Sequence, residues 1–78
     1  MMNITIEKID GCPTMTVTKG AITFVYDGMD FLLCKAIIHS GDDSIEITED
    51  EVIMALEEKA FTEEENMEIC KKAREYNE

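Results

Sequence analysis

The chain has 78 residues, 45% of them apolar, and carries eighteen Asp and Glu against seven Lys and Arg, for a net charge of -11 at pH 7. That length supports one domain, and a chain so short buries only about 60% of its unfolded surface. The apolar content argues against a disordered acidic chain, and the charge argues against direct nucleic-acid binding because phosphate is repelled.

The first 41 residues read as a β-sheet scaffold with a net charge of only -1. Asn3 to Ile9 sets Ile4 and Ile6 on one face and Thr5 and Glu7 on the other, the period of a half-buried strand. Met1 to Asp10 alternates instead of running apolar, so no secretory signal is expected, and no uninterrupted apolar run reaches the ~20 residues that span a bilayer. A soluble cytoplasmic protein with no membrane partner is the expectation. Asp10-Gly11-Cys12-Pro13 is turn chemistry. Thr14 to Thr18 then alternates again, with Met15 and Val17 inward and Thr14, Thr16 and Thr18 as a polar ladder.

Lys19-Gly20 turns the chain once more, and Ala21 to Tyr26, Asp27-Gly28 and Met29 to Ile38 form the strongest local signal. Asp-Gly between apolar runs favours a two-residue type I′ turn. That register sets Tyr26 against Met29, Phe24 against Phe31 and Ile22 against Leu33. The opposite side, with Val25, Leu32, Cys34, Ala36 and Ile38, is also largely apolar. Two short helices cover one sheet face, so a homodimer through Val25, Leu32, Ala36 and Ile38 is expected.

His39 to Ser44 reads as a loop and Ile45-Glu46-Ile47 as a short edge strand. The Asp42-Asp43-Ser44-Ile45-Glu46 cluster lacks the alternating oxygen ligands, central glycine and distal glutamate of a calcium loop. Cys12, Cys34 and Cys70 are odd in number with no CxxC, which points to reduced, partly buried thiols. With His39 they lack the paired short spacings of zinc motifs. No metal or cofactor is expected. Gly41 to Glu46, followed by Met54-Ala55-Leu56-Glu57-Glu58, resembles the Gly-x-Asp-Ser-Leu stretch and following acidic helix of acyl carrier proteins. That resemblance implies a four-helix fold with phosphopantetheine on Ser44.

Residues 42–78 hold fourteen acids against Lys59, Lys71, Lys72 and Arg74. Thr48-Glu49-Asp50-Glu51 and Thr62-Glu63-Glu64-Glu65 both read as capping boxes, the first with Ile47 and Val52 as a hydrophobic staple. Helices near 49–60 and 63–76 follow. At helical spacing Val52, Ile53, Leu56 and Ala60 share one face of the first, with Asp50, Glu51, Glu57 and Glu58 opposite and Met54 among them. In the second, Ile69, Cys70, Ala73 and Tyr76 share a stripe, and Glu64, Glu65, Glu68 and Glu75 lie opposite with Lys71 and Lys72. The predicted architecture is therefore α+β: a single domain with a small antiparallel meander of four to five strands followed by two acidic amphipathic helices.

No glycine-rich phosphate loop, Ser/His/Asp arrangement or carboxylate pair in an apolar pocket suggests catalysis, so no enzyme is expected. Crowded carboxylates along a rigid element approximate the phosphate field of a duplex. In composition and layout, residues 42–78 resemble the small acidic DNA-mimic proteins that phages make to disable host factors. That resemblance implies a host-cytoplasm inhibitor of a basic nucleic-acid-binding protein, HU-type nucleoid proteins being one target class. Its partner-binding residues would be Asp50, Glu51, Met54, Glu57, Glu58, Glu64, Glu65, Glu68 and Glu75. The competing expectation is an acidic adaptor or regulatory protein that binds a partner through its apolar sheet.

Overall fold

The computed structural model describes residues 2–77; Met1 and Glu78, the latter one of the fourteen acids counted above, lie outside the described residues. Five strands, β1 (Met2–Ile9), β2 (Cys12–Lys19), β3 (Ile22–Asp27), β4 (Leu32–Ser40) and β5 (Asp43–Ile47), precede two helices, α1 (Asp50–Ala60) and α2 (Glu63–Asn77). All strand pairings are antiparallel, in the order β1-β2-β3-β4-β5. The sheet is a meander followed by two helices, as the change from period 2 to period 3.6 implies.

Tight turns set the registers. Ile9 pairs with Cys12 across Asp10-Gly11, both with positive φ (52° and 83°), which is what a type I′ hairpin turn demands. The third connection differs from expectation. Asp27-Gly28 does not form a two-residue turn; a four-residue loop, Gly28 to Phe31, joins Asp27 to Leu32, closed by the Phe31 amide donating to the Gly28 carbonyl at 3.1 Å. Tyr26 therefore pairs with Leu33, Phe24 with Ala36 and Ile22 with Ile38, and the register shifts between Val25 and Tyr26, which makes Cys34 the extra residue of a bulge.

That bulge corrects the expected dimer face. Strand side chains alternate with period 2, so a one-residue slip moves all that follows to the other side. Ala36 lies opposite Phe24 and is fully buried beneath the helices, and Ile38 shares that face; Val25 and Leu32 point to the other. Val25, Leu32, Ala36 and Ile38 do not form one surface. The uncovered face carries Thr14, Thr16, Thr18 and Thr23, with Thr18 and Thr23 hydroxyls 2.9 Å apart and Lys35 paired to Glu46 at 2.6 Å. It is largely polar, as one open side of an antiparallel sheet is expected to be.

The core fills the covered side. Met15, Val17, Phe24, Tyr26 and Ala36 from the sheet meet Ile53, Phe61 and Ile69, and Ile4, Ile6, Leu56 and Ala73 pack around them. Phe24 and Phe61 are centred 5.3 Å apart at a tilted 57°, a geometry worth about 0.5–1.5 kcal/mol beyond the area it buries. Val52, expected inward, is 40% exposed, and Cys70 is exposed instead of sharing the buried stripe of Ile69. Among the described residues no helix is long and apolar enough to cross a membrane.

Candidate functional site

Residues 36–58 contain eight acids and no Lys or Arg. The fold strings them along one continuous stretch. Asp42 sits in the turn between β4 and β5, Asp43 and Glu46 on β5, Glu49 at the N-cap of α1, Asp50 and Glu51 in its first turn, and Glu57 and Glu58 further on. All are exposed except Glu57, which is half-buried. Ile53, Leu56 and Ala60 anchor α1 to the core, so Glu51, Met54 and Glu58 turn outward; Met54 is 61% exposed inside the acidic field.

The start of α1 is built differently from the expected capping box. Glu49, not Thr48, is the N-cap, and it makes no side-chain cap; its carbonyl receives the amides of Val52 and Ile53 at 3.0 Å. Asp50 and Glu51 in the first turn instead face the positive end of the helix dipole. At α2 the capping box is present. The Thr62 hydroxyl accepts the Glu65 amide at 3.2 Å, and the Glu65 carboxylate accepts the Thr62 amide at 2.9 Å.

Two of the nine predicted partner-binding residues have internal roles. Glu57 accepts a hydrogen bond from the Tyr26 hydroxyl, at the wall of a cleft of about 230 Å³ between the helices and the sheet. Burial, and then this bond to a carboxylate, push the Tyr26 phenol well above its ordinary value. Glu65 pairs with Lys19 at 2.7 Å, and Lys19 also donates to the Ala60 carbonyl at 2.8 Å. The Lys19 ammonium, with the Thr62 amide, holds the Glu65 carboxyl below the usual carboxylate range. A charge so engaged contributes less to an outward field than its place in the helical repeat suggests.

Asp50, Glu51, Met54 and Glu58 on α1, and Glu64, Glu68 and Glu75 on α2, are exposed as expected. The two helices differ in sign pattern: Lys71, Lys72 and Arg74 interrupt the acids of α2, whereas Lys59 alone accompanies those of α1. Asp42, Asp43 and Glu49 extend the acidic run toward β5 and were missing from the predicted set, whereas Glu46 points to the uncovered sheet face and is paired with Lys35. An acidic run free of cations was the available signal, but their assignment to a loop and short edge strand hid the continuity.

Ser44 lies on β5 opposite His39, inside an α+β fold, and so does not begin the helix of a four-helix carrier protein. Cys12, Cys34 and Cys70 are exposed instead of partly buried. Among the described residues no group of three or more His, Cys, Asp or Glu is placed to hold a metal ion. The fold and this surface define a small α+β domain with an acidic strand-helix face. Comparison with protein-family models, curated proteins and solved structures finds no match for the chain.

Proposed function

We propose that this protein occupies the nucleic-acid-binding surface of a basic protein, presenting carboxylates where DNA presents phosphates. The observation that carries the reading is the acidic stretch of residues 36–58 on β5 and α1, with no Lys or Arg within it, in which six exposed carboxylates remain once Glu57, bonded to Tyr26, and Glu46, paired with Lys35, are set aside. A surface that only confers solubility does well with both signs interspersed, and this stretch has one. Duplex DNA carries about one charge per 1.7 Å of axis, and approximating that field takes carboxylates crowded onto a rigid element. Met54 adds an apolar contact inside the field that a phosphate backbone lacks.

An adaptor working through an apolar sheet has less support, because the open face, although it includes Val25, Leu32 and Ile37, is lined mainly by threonines and an ion pair. The test is displacement of duplex DNA from a purified HU-type protein at low and moderate salt. Displacement that weakens as salt rises is expected, since exposed charges are screened over about 8–10 Å near physiological ionic strength. No displacement at low salt from any of a panel of basic DNA-binding proteins would sink the reading.

A further inference from the structure

The exposed side of α2 is its own complement. A groove of about 480 Å³ runs along it, lined by a stripe that includes Glu63, Asn66, Met67, Cys70, Lys71 and Arg74. Met67, at the middle, is 65% exposed. An acid stands at the N-terminal end of the stripe and two cations toward the C-terminal end. The repeat follows the three- and four-residue steps of one helix face.

Antiparallel alignment of two such helices about a point between residues 68 and 69 sets Glu63 against Arg74, Asn66 against Lys71 and Met67 against Cys70. Each pairing occurs twice, as an isologous two-fold contact requires. Parallel alignment would instead oppose Glu63 to Glu63 and Arg74 to Arg74. Among the described residues the ion pairs are Lys19 with Glu65 and Lys35 with Glu46, so Lys71, Lys72 and Arg74 are engaged with no described carboxylate. A chain of charge -11 thus keeps three of its seven cations on one helix, and a second copy would bring Glu63 to meet Arg74 at each end of the contact.

We propose that α2 is a self-association surface that takes the same helix of a second copy of this chain in antiparallel orientation. The pairing uses no carboxylate of β5 or α1, so it stands or falls apart from the proposed function. A contact between two fifteen-residue helices lies at the low end of interface sizes, below about 1,200 Å². The dimer is therefore expected to dissociate at roughly 1–100 μM and to appear in a concentration series.

Sedimentation equilibrium of the full chain tests it. The mass should rise from 8.9 kDa toward twice that value with concentration. Met67→Asp and Arg74→Glu should each weaken association at least about tenfold, and adding Glu63→Arg to Arg74→Glu should restore it to within about threefold of wild type. Ile69 and Ala73, which hold α2 to the core, are untouched, and far-UV circular dichroism verifies the helix in each variant. A readout without charge change mixes two variants in a Cys12→Ser/Cys34→Ser background, one Met67→Cys/Cys70→Ser and one keeping Cys70, so that each chain has a single thiol and a short bismaleimide should join Cys70 of one copy to the new thiol of the other. A one-chain mass up to about 1 mM, a dimer that survives Met67→Asp, a double reversal no tighter than the single one, or no cross-link overturns the proposal. The first of these outcomes would leave the stripe to a helix of another protein.

Discussion

The Tyr26 hydroxyl donates to the Glu57 carboxylate, and through that bond the third strand of the sheet grips the middle of α1. Ile53 and Leu56 seat the helix by burial, and this bond adds direction, since a half-buried carboxylate needs a donor. Tyr26→Phe should cost about 1–3 kcal/mol because it leaves Glu57 without that donor. Glu57→Gln, which keeps an acceptor and removes the charge, should cost less. Urea titrations of the two variants measure the order, and an equal loss in both would contradict it.

The same bond has a pH signature. The phenol of Tyr26 is held above its ordinary 10.0 by burial and by Glu57, so the unfolded chain gives up this proton first as pH rises. Its contribution is fully present below pH 10 and is lost as pH climbs from there toward the folded value. Melting temperature should fall above pH 10 in the wild type, and the Tyr26→Phe profile should fall less over that range.

Phe31 has φ of 49°, a left-handed conformation unusual for a bulky residue, and its ring meets Tyr76 edge-on at 5.8 Å and 77°. Asn77 donates to the Met29 carbonyl at 3.3 Å, so the end of α2 clamps this loop. Strain and packing act in opposite directions here. Phe31→Ala loses the buried ring and retains the strain, at a cost of about 3–5 kcal/mol. Phe31→Gly loses the same ring but relieves the backbone, and should be more stable than the alanine variant by about 1 kcal/mol. Thermal denaturation of the pair reads the difference directly, and an alanine variant equal to or better than glycine would contradict it.

Thr62 and Thr48 look alike in sequence and should behave differently. Thr62→Ala removes the hydroxyl that caps α2 and should cost about 0.5–2 kcal/mol, whereas Thr48→Ala should fall within about 0.5 kcal/mol of wild type because Glu49 occupies the N-cap. The Glu65 carboxyl, held low by Lys19 and Thr62, works in the opposite pH sense to Tyr26. Its contribution is present above its ordinary 4.5 and is lost as pH falls below that value. Lys19→Met should flatten the acid side of the stability profile.

Local periodicity made the architecture legible: Ile4-Thr5-Ile6-Glu7 and Thr14 to Thr18 announce half-buried strands, and Ile53, Leu56 and Ala60 announce the seated face of α1. The third hairpin was not legible, because Asp27-Gly28 carries a strong two-residue turn signal while Phe31 closes a four-residue loop against a helix end 45 residues away. Nothing local marks Cys34 as a bulge, and that single residue decides whether Ala36 and Ile38 are core or surface. The acids of the candidate site were visible as charge, and the outward placement of Glu51, Met54 and Glu58 followed from the helical repeat. The partners that withdraw Glu57 and Glu65 from the field, Tyr26 and Lys19, are separated from them by 31 and 46 positions. Pairs of that kind depend on the closed fold and leave no mark in the periodicity of either segment.

If β5 and α1 present the carboxylates that replace DNA, charge reversal there should matter more than on α2. On α2 the cations already dilute the field, and Glu65 is engaged with Lys19. A single exposed ion pair contributes about 0–1 kcal/mol, so one reversed acid should shift competition against DNA by about fivefold or less, and acids reversed together should weaken it further. Glu51→Lys/Glu58→Lys changes two exposed positions of α1 and leaves Ile53, Leu56 and the Tyr26–Glu57 bond in place. Glu64→Lys/Glu68→Lys makes the same change in net charge on α2. The expected order in a DNA-displacement titration is wild type strongest, the α2 pair intermediate and the α1 pair weakest, with the differences shrinking as salt is added. Equal loss from both pairs would mean that total charge, and not the β5–α1 arrangement, governs binding; equal displacement by all three would mean that the acids serve solvation alone.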